Sequence, residues 1–130
     1  MSYSVRKADL DEETNRATRI IETSIFSRQI DKLVDDESKQ TLLDTLILDP
    51  GAGDVIRGSG GLRKLRWAGS GRGKRGGIRV IYFWHVGQVM YLLLAYPKNK
   101  KDDLSAGEVA VLKEIVEQEK LSWTKNSSKT

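Results

Sequence analysis

The sequence predicts an α+β fold in which an antiparallel sheet carries two N-terminal helices and one C-terminal helix. Apolar residues recur at helical spacing in residues 27–47 and again in 105–116. Between them, three short apolar segments alternate with glycine-rich and polar stretches, which is typical of strands. A chain of 130 residues suits one domain with a modest core. We expect a flexible N-terminal arm at residues 1–16, a single domain at 17–123 and a frayed tail at 124–130.

The first half of the chain predicts a strand followed by two helices. Residues 18–26 read as the strand and residues 27–34 as a short helix. Asp35 is expected to cap the second helix, because a side-chain oxygen there can accept a hydrogen bond from a free backbone N–H group. Pro50 and Gly51 end that helix. Its buried stripe is predicted at Leu42, Leu43, Leu46 and Ile47.

The second half predicts a three-stranded meander and a last helix. After a long loop at residues 49–61, strands are expected at 62–68, 78–84 and 89–96, and a turn at 85–88 makes the last two a hairpin. The last of these strands is apolar on both faces, so we place it in the middle of the sheet. Ser105 and Glu108 have the spacing of a capping box that begins the final helix, whose buried stripe is Val109, Leu112, Ile115 and Val116.

Charge is strongly segregated along the chain. Residues 55–101 contain 11 Lys or Arg and no Asp or Glu, which leaves 11 basic and 18 acidic residues elsewhere, a net charge of −7 outside this block. A basic block of this kind attracts polyanions or an acidic protein. The apolar runs are too short to span a bilayer, and the N-terminus has no signal-peptide core.

Gly71, Gly73 and Gly76 match the spacing of a dinucleotide-binding motif, but their context does not fit. Such glycines must follow a strand and begin a helix, whereas here they lead into another strand. The acidic residue that would bind a ribose about 20 residues later is also missing. The segment is therefore predicted to be a basic, glycine-rich loop between two strands.

Several kinds of catalytic site are excluded by composition. The chain has no cysteine, so thiolate metal sites and disulfides are impossible. His85 is the only histidine, which rules out cleavage of RNA by a histidine pair and leaves no histidine-based serine triad. Its position at a turn favours a structural or solvated role.

Alternation along the strands groups the basic residues by face. Lys64 and Arg66 share one face of their strand, and Arg63 lies on the other. Arg79 begins the next strand among apolar neighbours. Arg79 has two interpretations. In the first, it lies at an exposed strand end and packs its aliphatic stem on apolar surface. In the second, it binds phosphate, since a guanidinium group can donate two parallel hydrogen bonds to a phosphate.

Three segments together resemble the HigB-type branch of the RelE/ParE superfamily of bacterial toxins. They are GDVIRGSGGLRK at 53–64, GKRGGIRVIY at 73–82 and YPKNK at 96–100, and the likeness runs from Ile20 to Glu119. The resemblance implies a RelE-like fold and a small cytoplasmic RNase that cuts mRNA in the ribosomal A site without a metal or other cofactor. The ribose 2′-hydroxyl would attack the adjacent phosphate. It also implies a cognate antitoxin, with a helix-turn-helix domain as in HigA, and a toxin–antitoxin complex on operator DNA.

Position in these motifs assigns candidate roles. By resemblance, Arg79 holds the scissile phosphate, Lys64 and Arg66 stabilise its charge, and one lysine, Lys64 or Lys98, moves a proton. RelE-type relatives often place a tyrosine beyond the last strand, and here no tyrosine follows Tyr96, so the general base stays open, with Tyr82 and Tyr96 as substitutes. The residues expected to contact mRNA or the ribosome are Arg63, Arg72, Lys74, Arg75, Tyr82, Lys100 and Lys101.

Two other functions are compatible with the same sequence. A ParE-like toxin on this fold would inhibit DNA gyrase without catalysis, and a plain nucleic-acid-binding module would bind without cutting. The lysines of residues 97–101 and the pair Lys64 and Arg66 favour RNA cleavage.

Overall fold

The computed structural model describes residues 3–7, 19–68, 77–85, 89–101 and 103–128. Within these residues it has the predicted α+β class. The strands are β1 (Tyr3–Lys7), β2 (Arg19–Thr23), β3 (Asp54–Val55), β4 (Leu62–Trp67), β5 (Ile78–His85) and β6 (Val89–Pro97), and the helices are α1 (Ser24–Leu33), α2 (Asp36–Leu48) and α3 (Ala106–Ser128).

The strands form one mostly antiparallel sheet in the order β1-β2-β6-β5-β4-β3. Strand β6 lies between β2 and β5, which confirms its predicted central position. The β5–β6 pair is the expected antiparallel hairpin, whereas β2 and β6 run parallel. The sheet is therefore antiparallel, as predicted, except for the pairing of β2 with β6.

The N-terminal segment differs from its prediction in two ways. Residues 3–7, which fall inside the predicted flexible arm, form strand β1 and pair with β2. The first core strand ends at Thr23 rather than at Phe26, because the Thr23 hydroxyl accepts a hydrogen bond from the Phe26 backbone N–H at 3.0 Å. This cap begins helix α1 at Ser24, earlier than apolar spacing suggested.

The predicted caps of the other two helices are confirmed. Asp35 accepts a hydrogen bond from the Ser38 backbone N–H at 2.8 Å and begins α2. Ser105 and Glu108 form the reciprocal capping box of α3, with bonds of 2.8 Å and 3.1 Å. Helix α3 continues to Ser128, whereas fraying was predicted after residue 123.

Helices cover both faces of the sheet, so the protein has two apolar layers. Helices α1 and α2 pack on one face, where Phe26, Leu46 and Tyr82 are among the fully buried side chains. Helix α3 packs on the other face through Leu112 and Val116. A strand residue on either face can therefore be buried, which decides where the candidate site residues lie.

Candidate active site

Two arginines lie directly opposite each other on the face of the sheet that α3 covers. Arg66 of β4 is paired in register with Arg79 of β5. Arg79 alternates with Ile81 and Phe83, both of which belong to the apolar layer under α3, so it points to the same side. The Cβ atoms of residues directly opposite in an antiparallel pair lie about 4.5–5.5 Å apart, and like charges there repel. This pair concentrates positive charge at one end of the sheet.

Arg79 is a buried cation, with 5% of its surface exposed. Its Nη1 lies 3.4 Å from the carbonyl oxygen of Ile78. On the next strand its register partner is Tyr96, which is also buried. A guanidinium group held this far from bulk water interacts strongly with an anion that reaches it.

Arg66 forms the exposed half of the arginine pair. Its Nη1 lies 3.3 Å from Oδ2 of Asp54, and both side chains are more than half exposed. Asp54 belongs to β3 and is the register partner of Lys64. An exposed ion pair of this kind contributes only about 0–1 kcal/mol and is readily exchanged for another anion.

Lys64 occupies the same face two residues before Arg66 and is buried, with 8% of its surface exposed. Its ammonium group forms an ion pair with the exposed carboxylate of Asp103, from the segment between β6 and α3. Both residues line a cleft of about 490 Å³ between the β3–β4 region and the start of α3. Lys64 therefore joins the arginine pair to this cleft.

Lys98 lies just beyond the end of β6, next to the start of β5. Its backbone N–H donates to the carbonyl oxygen of Gly77 at 3.2 Å, and its side chain is exposed. Since Trp67, Ile78 and Pro97 are aligned in register, this turn is at the same end of the sheet as the arginine pair. Lys98 thus lies near the arginine pair at this end of the sheet, and Lys64 lies two residues before Arg66 along β4.

Gly77 allows the chain to pass closely at this end. Its φ of +64° lies in the left-handed region, and a Cβ atom there would lie 2.5 Å from the carbonyl oxygen of Trp67. The glycine is therefore required by contacts within the protein.

Arg63 lies on the opposite face of the sheet, as alternation predicted, and is half-buried. The Arg63 Nη1 donates to the carbonyl oxygens of Gly53 and Gly51 at 2.7 Å and 3.3 Å, and its guanidinium carbon lies 5.9 Å from the centre of the Trp84 ring. Alternation places it under α1 and α2, away from the arginine pair. Its contacts pin the loop that precedes β3.

Tyr82 is fully buried on that same face, so its ring offers no surface to RNA. Its hydroxyl donates to the carbonyl oxygen of Pro50 at 2.7 Å and accepts from the Gly53 backbone N–H at 2.9 Å. Burial raises the pKa of this phenol above its ordinary value of 10.0, against the opposing effect of the Gly53 hydrogen bond. Tyr82 is therefore unsuited both to RNA contact and to the role of general base.

The remaining predicted RNA contacts divide into three groups. Lys100 is exposed in the turn after β6. Lys101 forms an ion pair with Glu108, and its Nζ lies 5.6 Å from the centre of the Tyr96 ring. The hydrogen bond from Lys101, followed by that from the Ser105 backbone N–H, lowers the pKa of Glu108. Arg72, Lys74 and Arg75 lie outside the described residues.

Sequence reasoning missed the two acidic partners of the site. Asp54 pairs with Arg66, and Asp103 pairs with Lys64. A signal was present, because Asp54 immediately precedes the acid-free block of residues 55–101 and Asp103 lies just after it. His85, at the far end of β5, stacks near Phe83 with ring centres 6.5 Å apart.

The part of the chain that the structure describes has neither a metal-ligand cluster nor a membrane-spanning helix. There, no three histidine, cysteine or carboxylate side chains lie close enough to hold a metal ion. Likewise, none of the helices described has a segment long and apolar enough to span a membrane.

The comparison with protein families gives a match over most of the chain. Residues 18–127 match the model of the RelE toxin of the RelE/RelB toxin–antitoxin system. The match covers all three helices up to residue 127 and every strand except β1. RelE toxins belong to type II toxin–antitoxin pairs, and the family is typically composed of ribosome-dependent ribonucleases. The chain therefore belongs to the RelE family of toxins.

Proposed function

We propose that this protein is a ribosome-dependent endoribonuclease of the HigB-type branch, which cuts translated mRNA and thereby arrests growth. The observation that carries the proposal is the in-register pair Arg66 and Arg79 beside the buried ammonium of Lys64. Three cations on one face suit a phosphate whose negative charge increases in the transition state. Its site of action is the ribosome in the cytoplasm.

In the proposed reaction, the 2′-hydroxyl of a bound nucleotide attacks the adjacent phosphate. The bond to the 5′-oxygen breaks, leaving a 2′,3′-cyclic phosphate and a 5′-hydroxyl. Arg79 holds the phosphate from the buried side, where its guanidinium group is least screened by water. Arg66 contacts it from the exposed side after exchanging Asp54 for the phosphate. Lys64 stabilises the charge or donates a proton to the leaving 5′-oxygen, and Lys98 or solvent water takes up the proton that the 2′-hydroxyl loses.

Lys98 and Lys100 complete the proposed surface. Both side chains are exposed in the turn at the same end of the sheet, where they can contact neighbouring phosphates of mRNA or ribosomal RNA. Arg72, Lys74 and Arg75 belong to the same proposal by their place in the basic loop. The proposed partners are the A site of the ribosome and a cognate antitoxin with a helix-turn-helix domain, which together with the toxin would bind operator DNA.

The test is primer extension on mRNA translated in a reconstituted system containing the purified protein. Wild type should produce new 5′ ends within the A-site codon. Arg66→Gln should reduce the cleavage rate about 100- to 1,000-fold, as removal of one stabilising donor does. Arg28→Gln is the matched control, since Arg28 is exposed on α1 at the opposite face of the sheet.

The outcomes separate the rival functions. If mRNA remains intact and DNA gyrase loses its supercoiling activity, the protein is a ParE-like toxin. If Arg66→Gln and Arg79→Lys both cut at the rate of wild type, the arginine pair is not the site. Circular dichroism and antitoxin binding establish that each variant is folded.

A further inference from the structure

We propose that the cleft beside Lys64 binds the nucleoside next to the scissile phosphate, and that Asp103 selects bases that carry an amino group. This inference rests on the proposed function and adds to it a binding site with a base preference.

The cleft has the lining that a nucleobase requires. Ala106, Val109, Ala110 and Lys113 recur at helical spacing, so the first turns of α3 present one continuous stripe to it. Ile56 and Leu104 contribute further half-buried apolar surface. The volume of about 490 Å³ lies within the usual range for small-ligand pockets, about 300–1,000 Å³. A flat base with two apolar faces can be held between such walls.

The charges at the mouth of the cleft suit a polyanion. Arg57 and Lys113 are exposed there and Lys64 lies in the wall, against the single described carboxylate of Asp103. The net charge of +2 attracts an anionic chain, whether a ribose-phosphate chain or an acidic peptide. The position of the cleft favours the ribose-phosphate chain, because Lys64 lies two residues from Arg66 on the same face of β4, about 6.8 Å along the strand. A single nucleotide can span from the arginine pair into the cleft.

Asp103 supplies the base preference. An ionised carboxylate has about four acceptor positions, and its ion pair with Lys64 uses one of them. The side chain is 78% exposed, so the other positions are open to a ligand. Adenine, cytosine and guanine carry exocyclic amino groups that a carboxylate can accept from. Uracil carries none, and its N3–H lies between two carbonyl oxygens that repel a carboxylate. We expect uracil to be disfavoured at the nucleotide that enters the cleft.

The first experiment fills the cleft and measures cleavage on programmed ribosomes. Ala110→Trp should lower kcat/KM at least 10-fold, whereas Val111→Trp, on the adjacent exposed position of α3 that does not line the cleft, should cut like wild type. Equal rates for the two variants overturn the proposal. A loss of antitoxin affinity in Ala110→Trp with unchanged cleavage also overturns it and assigns the cleft to the antitoxin.

The second experiment uses the wild-type chain, so it does not depend on the folding of a variant or on catalysis. Short RNA oligonucleotides with a 2′-deoxy sugar at the position of the nucleophile are titrated into the protein, and methyl resonances are followed by NMR. Shifts at Ala110 and Val109 that exceed those at Val111 support the site. Their absence at millimolar oligonucleotide overturns it, even if the protein proves to be a ribonuclease.

The third experiment tests Asp103 by measuring cleavage at A-site codons that differ in one base. Wild type should cut codons with cytosine at one position about 5- to 100-fold faster than those with uracil, the range expected for one good base contact. Asp103→Asn keeps an acceptor for Lys64 but replaces the second oxygen by a donor, so it should abolish that ratio. An unchanged ratio overturns the assignment of Asp103. If wild type cuts no mRNA, the proposed function is wrong, and only the NMR titration then tests whether the cleft binds RNA.

Discussion

Replacement of Tyr82 by phenylalanine should strongly destabilise the protein without changing the shape of its core. The ring stays in place, but the Pro50 carbonyl oxygen and the Gly53 N–H lose their buried partner at 2.7 Å and 2.9 Å. Each buried hydrogen bond contributes about 1–1.5 kcal/mol, so the free energy of unfolding should fall by about 2–3 kcal/mol. For a domain of this size, that lowers Tm by roughly 8–12 °C.

Urea unfolding followed by far-ultraviolet circular dichroism measures this loss. The matched control is Tyr91→Phe, since Tyr91 is also buried but has no hydroxyl hydrogen bond among the described residues. We expect the control to change the free energy of unfolding by less than about 0.5 kcal/mol. If Tyr82→Phe is no more destabilising than Tyr91→Phe, the Tyr82 hydroxyl does not hold the loop of residues 50–53 in place.

Two further predictions concern backbone strain and pH. Gly77→Ala should lower the free energy of unfolding by more than about 2 kcal/mol in the same urea assay, because it adds left-handed strain to a 2.5 Å clash. Gly107→Ala, whose Cβ would meet only Ser105 Oγ at 3.9 Å, should be neutral or stabilising, and equal losses would contradict the account. Burial raises the pKa of Tyr82, so the protonated phenol stabilises the folded state relative to the unfolded state. This contribution to the free energy of unfolding is fully present below pH 10.0 and is lost as pH rises through the folded-state pKa. A phenolate signal that appears below pH 10 in wild type and is missing in Tyr82→Phe would refute this.

The elements of the fold could be predicted because local signals and tertiary packing agree. Asp35 and the pair Ser105 and Glu108 carry the cap chemistry that begins their helices, and the structure uses it. Thr23 carried the same chemistry, but it lay within a β-branched run whose strand propensity masked it. Strand β1 and the parallel pairing of β2 depend on partners distant in sequence, which no local pattern reveals.

The site could be predicted only in part, for a physical reason. Alternation placed Lys64 and Arg66 on one face, as observed, but it does not say which face of the next strand adjoins them or what covers each face. Because helices cover both, Tyr82 is buried in the opposite layer instead of lying at the surface. Arg63, on that same face, holds the loop before β3. Asp54 and Asp103 border the acid-free block, but only the fold brings them to their basic partners, which lie 12 and 39 residues away in the sequence.

The place of β6 in the sheet has a consequence for synthesis of the protein. This strand ends at residue 97 of 130, yet it is the neighbour of both β2 and β5. The helices made first therefore have no completed sheet to pack on until most of the chain has been translated, and contacts so distant in sequence form slowly. A newly made chain should thus complete its sheet, and with it the pairing of Arg79 with Tyr96, only late in its synthesis.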